Sequence, residues 1–346
     1  MKKIIHQSRG VRTVELASIG GVTQEDSMKK TSKADLKKAI LAVEAERLKH
    51  PARFRPDRTQ RAALQKSRRE SEKAVSAFLT KAGLDLKKFQ AMQEKRSAEL
   101  ERMVAKHKAE AIKLASRRKD TLYSSITAQS VALRDVAAKT GFFPYPTFTL
   151  DTPFLIWSIP LTDISDSAAV PFGSFAKFTF KTSQTITQKV GFYFYWPNPY
   201  QDYAVINAAT FMSATGHLTA HAPWTFWSNS SEVYAWADLN LWFGWPTAVT
   251  SSNSASAFLG STGAMGAGVT GGDTQGTSVS SGVSLNTTMF AVPPNTVVVF
   301  EVAIELDCSV DDSDGYIEAD FESGDFQIAC PVVVFSLLNS PPGAMA

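Results

Sequence analysis

The densest chemistry in the sequence is the acidic run Asp307-Cys308-Ser309-Val310-Asp311-Asp312-Ser313-Asp314-Gly315. Calcium takes about six to eight oxygen ligands, and Asp311, Asp312 and Asp314 beside two serines supply them at a glycine turn. The twelve-residue calcium-loop pattern is incomplete, because no bidentate Glu stands at its end. An acidic hairpin turn is the competing reading. Asp320, Glu322 and Asp325 add carboxylates nearby, where a pair for glycoside hydrolysis would also fit. His217 and His221 lie four apart, which in a strand puts both on one face. They read as a metal pair or as surface histidines near a sheet edge. Walker, nucleophile-elbow, CxxC and HExxH motifs are missing, so no conventional enzyme is expected and no cofactor is implied beyond calcium.

Two further groups suit binding rather than catalysis. Trp196, Tyr200, Trp224, Trp227 and Trp245 stand in or beside breaker-rich contexts such as Trp196-Pro197-Asn198-Pro199-Tyr200. Exposed Trp and Tyr fit a subunit interface or sugar stacking, and aromatics in strands otherwise fill a core. Arg53, Arg55 and Arg58, with Arg117, Arg118 and Lys119, form basic patches able to contact phosphates.

The elements that position these residues fall into two unlike parts. Residues 1–141 hold 33 Lys and Arg against 16 Asp and Glu, a balance of +17. Residues 142–346 hold 3 (Lys177, Lys181 and Lys189) against 17, a balance of −14. This asymmetry speaks of partners and solubility. It suits nucleic acid, an anionic surface, or the acidic half of a second copy.

Residues 1–31 read as a flexible basic arm, and 32–141 as a basic helical region. Ser32 and Asp35 start a helix with an apolar stripe at Ala39, Ile40, Ala42, Val43 and Leu48, stopped by Pro51. A second helix runs from Asp57 to Gly83. From about 86 to 140 neither Gly nor Pro occurs, which predicts one helix of up to about 80 Å. Phe89, Met92, Leu100, Met103, Val104, Ala111 and Leu114 recur along it as a narrow seam, suited to a hairpin or to bundling with neighbouring chains. Pro144 and Pro146 end the helical regime.

Residues 142–346 read as a β-sandwich domain, with strands at 174–181, 188–196, 203–213, 232–243, 296–306 and 325–337. The last two are nearly all apolar, as in strands buried on both faces. Residues 247–284, rich in Ser, Gly, Thr and Ala, read as a long surface loop. The expected fold class is therefore α+β multidomain. A long-helix hairpin or coiled-coil-like region precedes an all-β sandwich of jelly-roll type.

Cys308 and Cys330 are too few for a disulfide framework and read as buried thiols. No secretory leader and no transmembrane segment is expected, so synthesis is cytoplasmic. Action outside the cell would require lysis, a dedicated route, or a virion-like particle. Three functions compete. The first is a non-enzymatic structural protein forming a fibre-, ring- or shell-like homo-oligomer. The second is a nucleic-acid-packaging coat protein, and the third a secreted effector, either pore-forming or glycan-binding. The plan of helical stalk and β head resembles that of many phage and bacterial fibre proteins.

Overall fold

The computed structural model describes residues 32–49, 77, 81, 86–139, 147–160, 162–225, 229–245, 251–266 and 272–339. The arm at 1–31, the expected helix at 57–83, the linker prolines, Arg53, Arg55, Arg58 and Trp227 lie outside the described residues. So do the side chains of Arg118, Lys119 and Trp245. Two antiparallel sheets dominate. In chain order the helices are α1 (Lys33–Lys49) and α2 (Leu86–Lys139). The strands are β1 (Thr147–Leu150), β2 (Leu155–Ile159), β3 (Asp166–Ala168), β4 (Phe175–Lys177), β5 (Thr179–Thr182), β6 (Ile186–Pro197), β7 (Ala204–Ala222), β8 (Asn229–Trp245), β9 (Ser251–Gly266), β10 (Asp273–Val292), β11 (Val297–Val310), β12 (Tyr316–Asp320) and β13 (Gln327–Leu337).

The first sheet runs β3-β4-β13-β7-β12-β5, with β1 also on β13 and β10 also on β7. Strand β7 is its spine. One edge of β7 is shared by β13, over 206–215, and β12, over 217–221, while β10 pairs with it from end to end. The second sheet runs β2-β6-β11-β8-β9. Their facing sides share one core, in which Phe192, Phe194 and Phe300 of one sheet meet Ile206, Met212 and Phe335 of the other. Phe300 stacks on Phe335 with ring centroids 5.0–5.2 Å from their neighbours, Trp196 and Phe148 included.

Strand phase decides where each aromatic goes. In β6, Phe192, Phe194 and Trp196 point into that core, whereas Tyr193 and Tyr195 point to the outer face. The outer face of the second sheet is covered by α1. Leu36, Ile40 and Val43, spaced for one helix face, are buried on Leu155, Ile159, Tyr193, Trp242 and Val299. A reciprocal cap fixes the start of α1: the Asp35 amide donates to Ser32 Oγ (3.2 Å) and the Ser32 hydroxyl donates to Asp35 Oδ2 (2.7 Å). The outer face of the first sheet is covered by α2, which crosses β10, β7 and β13.

These placements overturn the expected α+β plan with its helical hairpin or coiled-coil-like region. A sheet buried on its inner side still has an outer side, and here each helix spends its apolar stripe on one of those. The expected seam of α2 is divided: Val104 and Ala111 are buried against the sheet, while Met92, Met103 and Leu114 are exposed. The expected loop at 247–284 is also corrected, since β9 and β10 occupy most of it. Their small residues hid a period of two. Ala255, Ala257 and Leu259 on β9, and Val279, Val283 and Leu285 on β10, all turn toward the core.

β9 ends the second sheet and β10 ends the first, and the two strands pack over one another at the same side of the sandwich. Among the described residues β9 has only β8 as a ladder partner and β10 has only β7.

Removing the ring at the centre of the core tests the packing. Phe300→Ala should cost about 3–5 kcal/mol of unfolding free energy. Phe258→Ala, at a half-exposed position, should cost under about 1 kcal/mol by comparison. Both are read from urea midpoints.

Candidate functional site

The most unusual chemistry in the structure is polar, buried, and sealed between helix and sheet. On β7, residues 217, 219 and 221 share the outer face, opposite Asp320, Glu318 and Tyr316 of β12. Helix α2 lies across them. Lys108 reaches down to Glu318 Oε1 (2.8 Å) and Asp320 Oδ2 (2.7 Å). Asp320 is 2% exposed and accepts three more bonds from its own turn: the Ser323 hydroxyl donates to Oδ2 (2.6 Å), and the Glu322 and Ser323 amides donate to Oδ1 (both 2.9 Å). Burial alone would raise the pKa of this carboxyl. The Lys108 and Ser323 bonds outweigh it and hold the pKa below the ordinary carboxylate value. For Lys108 likewise, burial lowers the pKa, but the two carboxylates leave it raised.

The histidines are therefore neither at a sheet edge nor on the surface. His217 is 1% exposed, with Nδ1 3.3 Å from Thr219 Oγ1 and with Nε2 lacking a hydrogen-bond partner among the described residues. Burial, and then the charge of Lys108, push its pKa down to about 4. His221 shares a 2.8 Å hydrogen bond with Thr274 of β10, stacks on Tyr316 at 4.9 Å, and stands 3.9 Å from Glu101 of α2. Burial lowers its pKa as well. Lys181 caps this end, 3.9 Å over the Tyr316 ring. Gly276 of β10 lets the helix come this close. A Cβ there would fall 2.7 Å from His217 Cε1 and 2.9 Å from Val104 Cγ1.

A second cluster lies under α1. Lys189 of β6 is 3% exposed and is ringed by Glu44 of α1 (2.9 Å), Glu301 (3.2 Å) and Glu305 (3.3 Å) of β11. Asn240 of β8 donates to Glu301 Oε1 at 3.1 Å. So each helix is held to its sheet by apolar contact plus a buried ion pair, with Lys108 the helix cation in one case and Glu44 the helix anion in the other. The complementarity expected between the basic half of one copy and the acidic half of another is met within one chain at Lys108, while at Glu44 and Lys189 the signs are reversed. Both clusters are structural clasps in form: their charged groups pair with one another and lie beneath helices. Losing one member of a buried pair is expensive, whereas the intact pair mainly fixes register.

The other sequence candidates are dispersed. Asp311 accepts from the Ser230 amide (3.2 Å) and hydroxyl (2.9 Å), and Asp312 Oδ1 accepts from the Asp314 amide (3.0 Å), so this acidic run forms the turn between β11 and β12. Among the described residues no group of three His, Cys, Asp or Glu side chains is arranged to hold a metal ion. Trp196 is a core residue rather than an interface residue. Tyr200 is half-buried 6.4 Å from it, above a turn that Asn198 staples to Asp202, Val292 and Pro293 carbonyls. Trp224 is half-buried just after β7, and Arg117 is exposed on α2. Cys308 and Cys330 are buried and not joined to each other, and burial pushes the Cys330 thiol up to about 12.

Sequence reasoning missed Lys108, Lys189, Glu301 and Asp320 as partners. A signal existed for two of them. Lys189 and Glu301 each interrupt a strand of apolar residues, and an ionic group there needs a buried counter-charge. No helix among the described residues is long and apolar enough to cross a membrane.

Neither a family model nor a curated protein matches the sequence. Among solved structures, one of infectious bursal disease virus, Gt strain, is similar over 59% of this chain, at 11% identity and a TM-score of 0.11. This chain spans 42% of that one, and at such a score the likeness carries no argument about fold or function.

Two outcomes are expected of the α2 clasp. Lys108→Ala leaves Asp320 buried without its cation and should cost roughly 3 kcal/mol or more, recovered in large part by pairing it with Asp320→Asn; denaturation of the single and double variants measures this. The second concerns acid. A histidine pKa depressed in the folded state gives stability that is complete above the free value of 6.5 and is lost as the pH falls toward about 4. Melting temperature should therefore decline across that window in the wild type, and the decline should be shallower in His217→Asn. Equal slopes would show that His217 does not govern it.

Proposed function

We propose that this chain is a non-enzymatic structural protein that assembles with further copies of itself through the free edges of its sandwich. One observation carries this reading: β9 and β10 are long, adjacent edge strands almost without charge. β9 has 16 residues and no ionisable side chain. β10 has 20 residues and only Asp273. An edge strand presents a row of unpaired backbone N–H and C=O groups, and monomeric proteins blunt such edges with Lys, Pro, short length or bulges. β9 and β10 have no Lys and no Pro; the bulge in β10 comes late, between Thr287 and Phe290, and β9 carries one at Leu259, between Phe258 and Gly260. Their side chains are mostly Ser, Gly, Ala and Thr, which allow another strand to approach closely.

Three exposed apolar residues also lie on this pair of strands. Phe258 and Met265 on β9 and Met289 on β10 are half or more exposed. A second copy that added its own β9–β10 edge would satisfy the backbone ladder and cover these side chains. Charge plays little part in such a contact, so salt should not dissolve it.

Light scattering on a size-exclusion column at low and high salt tests this, with absorbance at 260 and 280 nm recorded. A discrete multimer that persists in high salt and carries no nucleic acid is expected. Lysines at three exposed edge positions, in the variant Ser254→Lys/Ser280→Lys/Ser284→Lys, should lower the mass by half or more while leaving the β-sheet circular-dichroism signal intact. A wild-type monomer at every salt would contradict the proposal. A high absorbance ratio that falls in salt would favour a nucleic-acid-packaging role instead.

A further inference from the structure

The exposed side of α2 is self-complementary, and we infer that it pairs antiparallel with the same side of α2 in a second copy. This rests on the assembly reading above and names a second interface for it. Met92, Met103 and Leu114 are 57%, 56% and 51% exposed. They are spaced by eleven residues, which is three turns with a small drift, so they line up along one flank of the helix. That flank lies roughly 100° around the helix from Val104 and roughly 140° from Lys108, the residues that grip the sheet, so pairing would not disturb the clasp. The stripe spans about 33 Å.

The residues between these three are charged, and their order is the informative feature. Arg96, Glu99, His107 and Glu110 are exposed along the same flank. With Met103 placed on a two-fold axis, an antiparallel copy sets Met103 against Met103, Met92 against Leu114, Arg96 against Glu110, and Glu99 against His107. Each of the three apolar residues then meets an apolar one, and Glu99 and Glu110 each meet a basic residue. A symmetric contact repeats each unlike pair twice, which is the self-complementarity that a two-fold interface requires. Parallel pairing in register would set Arg96 on Arg96 and Glu110 on Glu110, so charge selects the antiparallel arrangement.

Two interfaces on one chain have a consequence for assembly. A two-fold helix contact and an edge contact on the sandwich together build either a closed ring of copies or a continuing array.

Site-directed crosslinking with charge reversal tests the helix contact on the full chain. In Met103→Cys the two thiols lie on the axis, so mild oxidation should yield a covalent dimer, and the buried Cys308 and Cys330 should not contribute in the wild-type control. Arg96→Glu should weaken association, measured by sedimentation equilibrium, by at least about tenfold, since it places like charges together twice. Arg96→Glu/Glu110→Arg should recover affinity to within about threefold of wild type. The same crosslink should form in the Ser254→Lys/Ser280→Lys/Ser284→Lys background, where the edge contact is removed. If wild type assembles but Met103→Cys yields no covalent dimer on oxidation and Arg96→Glu associates normally, the helix inference is overturned and the edge reading stands. If the crosslink forms while the lysine variant assembles like wild type, the helix contact stands and the edge reading fails.

Discussion

A carboxylate taken out of water must keep a cation beside it, and the architecture of this protein follows from two such groups. Asp320 and Glu301 are 2% and 0% exposed, one on the outer face of each sheet. Their partners Lys108 and Lys189 tie in the helices, directly through Lys108 of α2 and by way of Glu44 of α1. An uncovered ion pair of this kind would be wet and weak. Covered, it is costly to break, and it tells each helix where along its sheet to lie. The apolar contacts of Leu36, Ile40, Val43, Val104 and Ala111 supply attraction without register, while the buried charges supply register.

α2 crosses the outer face of one sheet, α1 covers part of the outer face of the other, the inner faces cover each other, and at one side of the sandwich the two sheets end in β9 and β10. There β9 and β10 lie together without the lysines and prolines that keep other edges apart. Asp273 is the one ionisable side chain on these two strands. The exposed flank of α2 adds a second, charge-ordered surface. The two surfaces differ in what recognises them. A backbone ladder is tolerant of side chains and indifferent to salt, whereas the α2 flank discriminates orientation through Arg96 and Glu110.

How much of this was legible in the sequence depends on what each residue's signal measures. The strands at β6, β8, β11 and β13 were legible because Val, Phe, Tyr and Trp mark them. The start of α1 was legible at Ser32 and Asp35. β9 and β10 were not, because Ser and Gly composition outweighed the alternation of Ala255, Ala257 and Leu259. Strand formation there is imposed by the partners β8 and β7 rather than by local preference. Trp196 was misplaced because Pro197 and Pro199 suggested a turn, yet β6 continues through Pro197 and its phase sends Trp196 inward. The α2 stripe was legible as periodicity but not as direction, since periodicity does not say whether the facing surface is a helix or a sheet. His217 and His221 were legible as a shared face, while their burial depended on a helix more than a hundred residues away in sequence.

The most direct test of the central claim is hydrogen exchange of the backbone amides of β9 and β10, compared between a dilute sample and one concentrated enough to assemble. Edge pairing predicts that amides pointing away from β8 and β7 become protected only in the concentrated sample, in an alternating pattern along both strands. Identical exchange at the two concentrations, in a sample shown to be assembled, would contradict it.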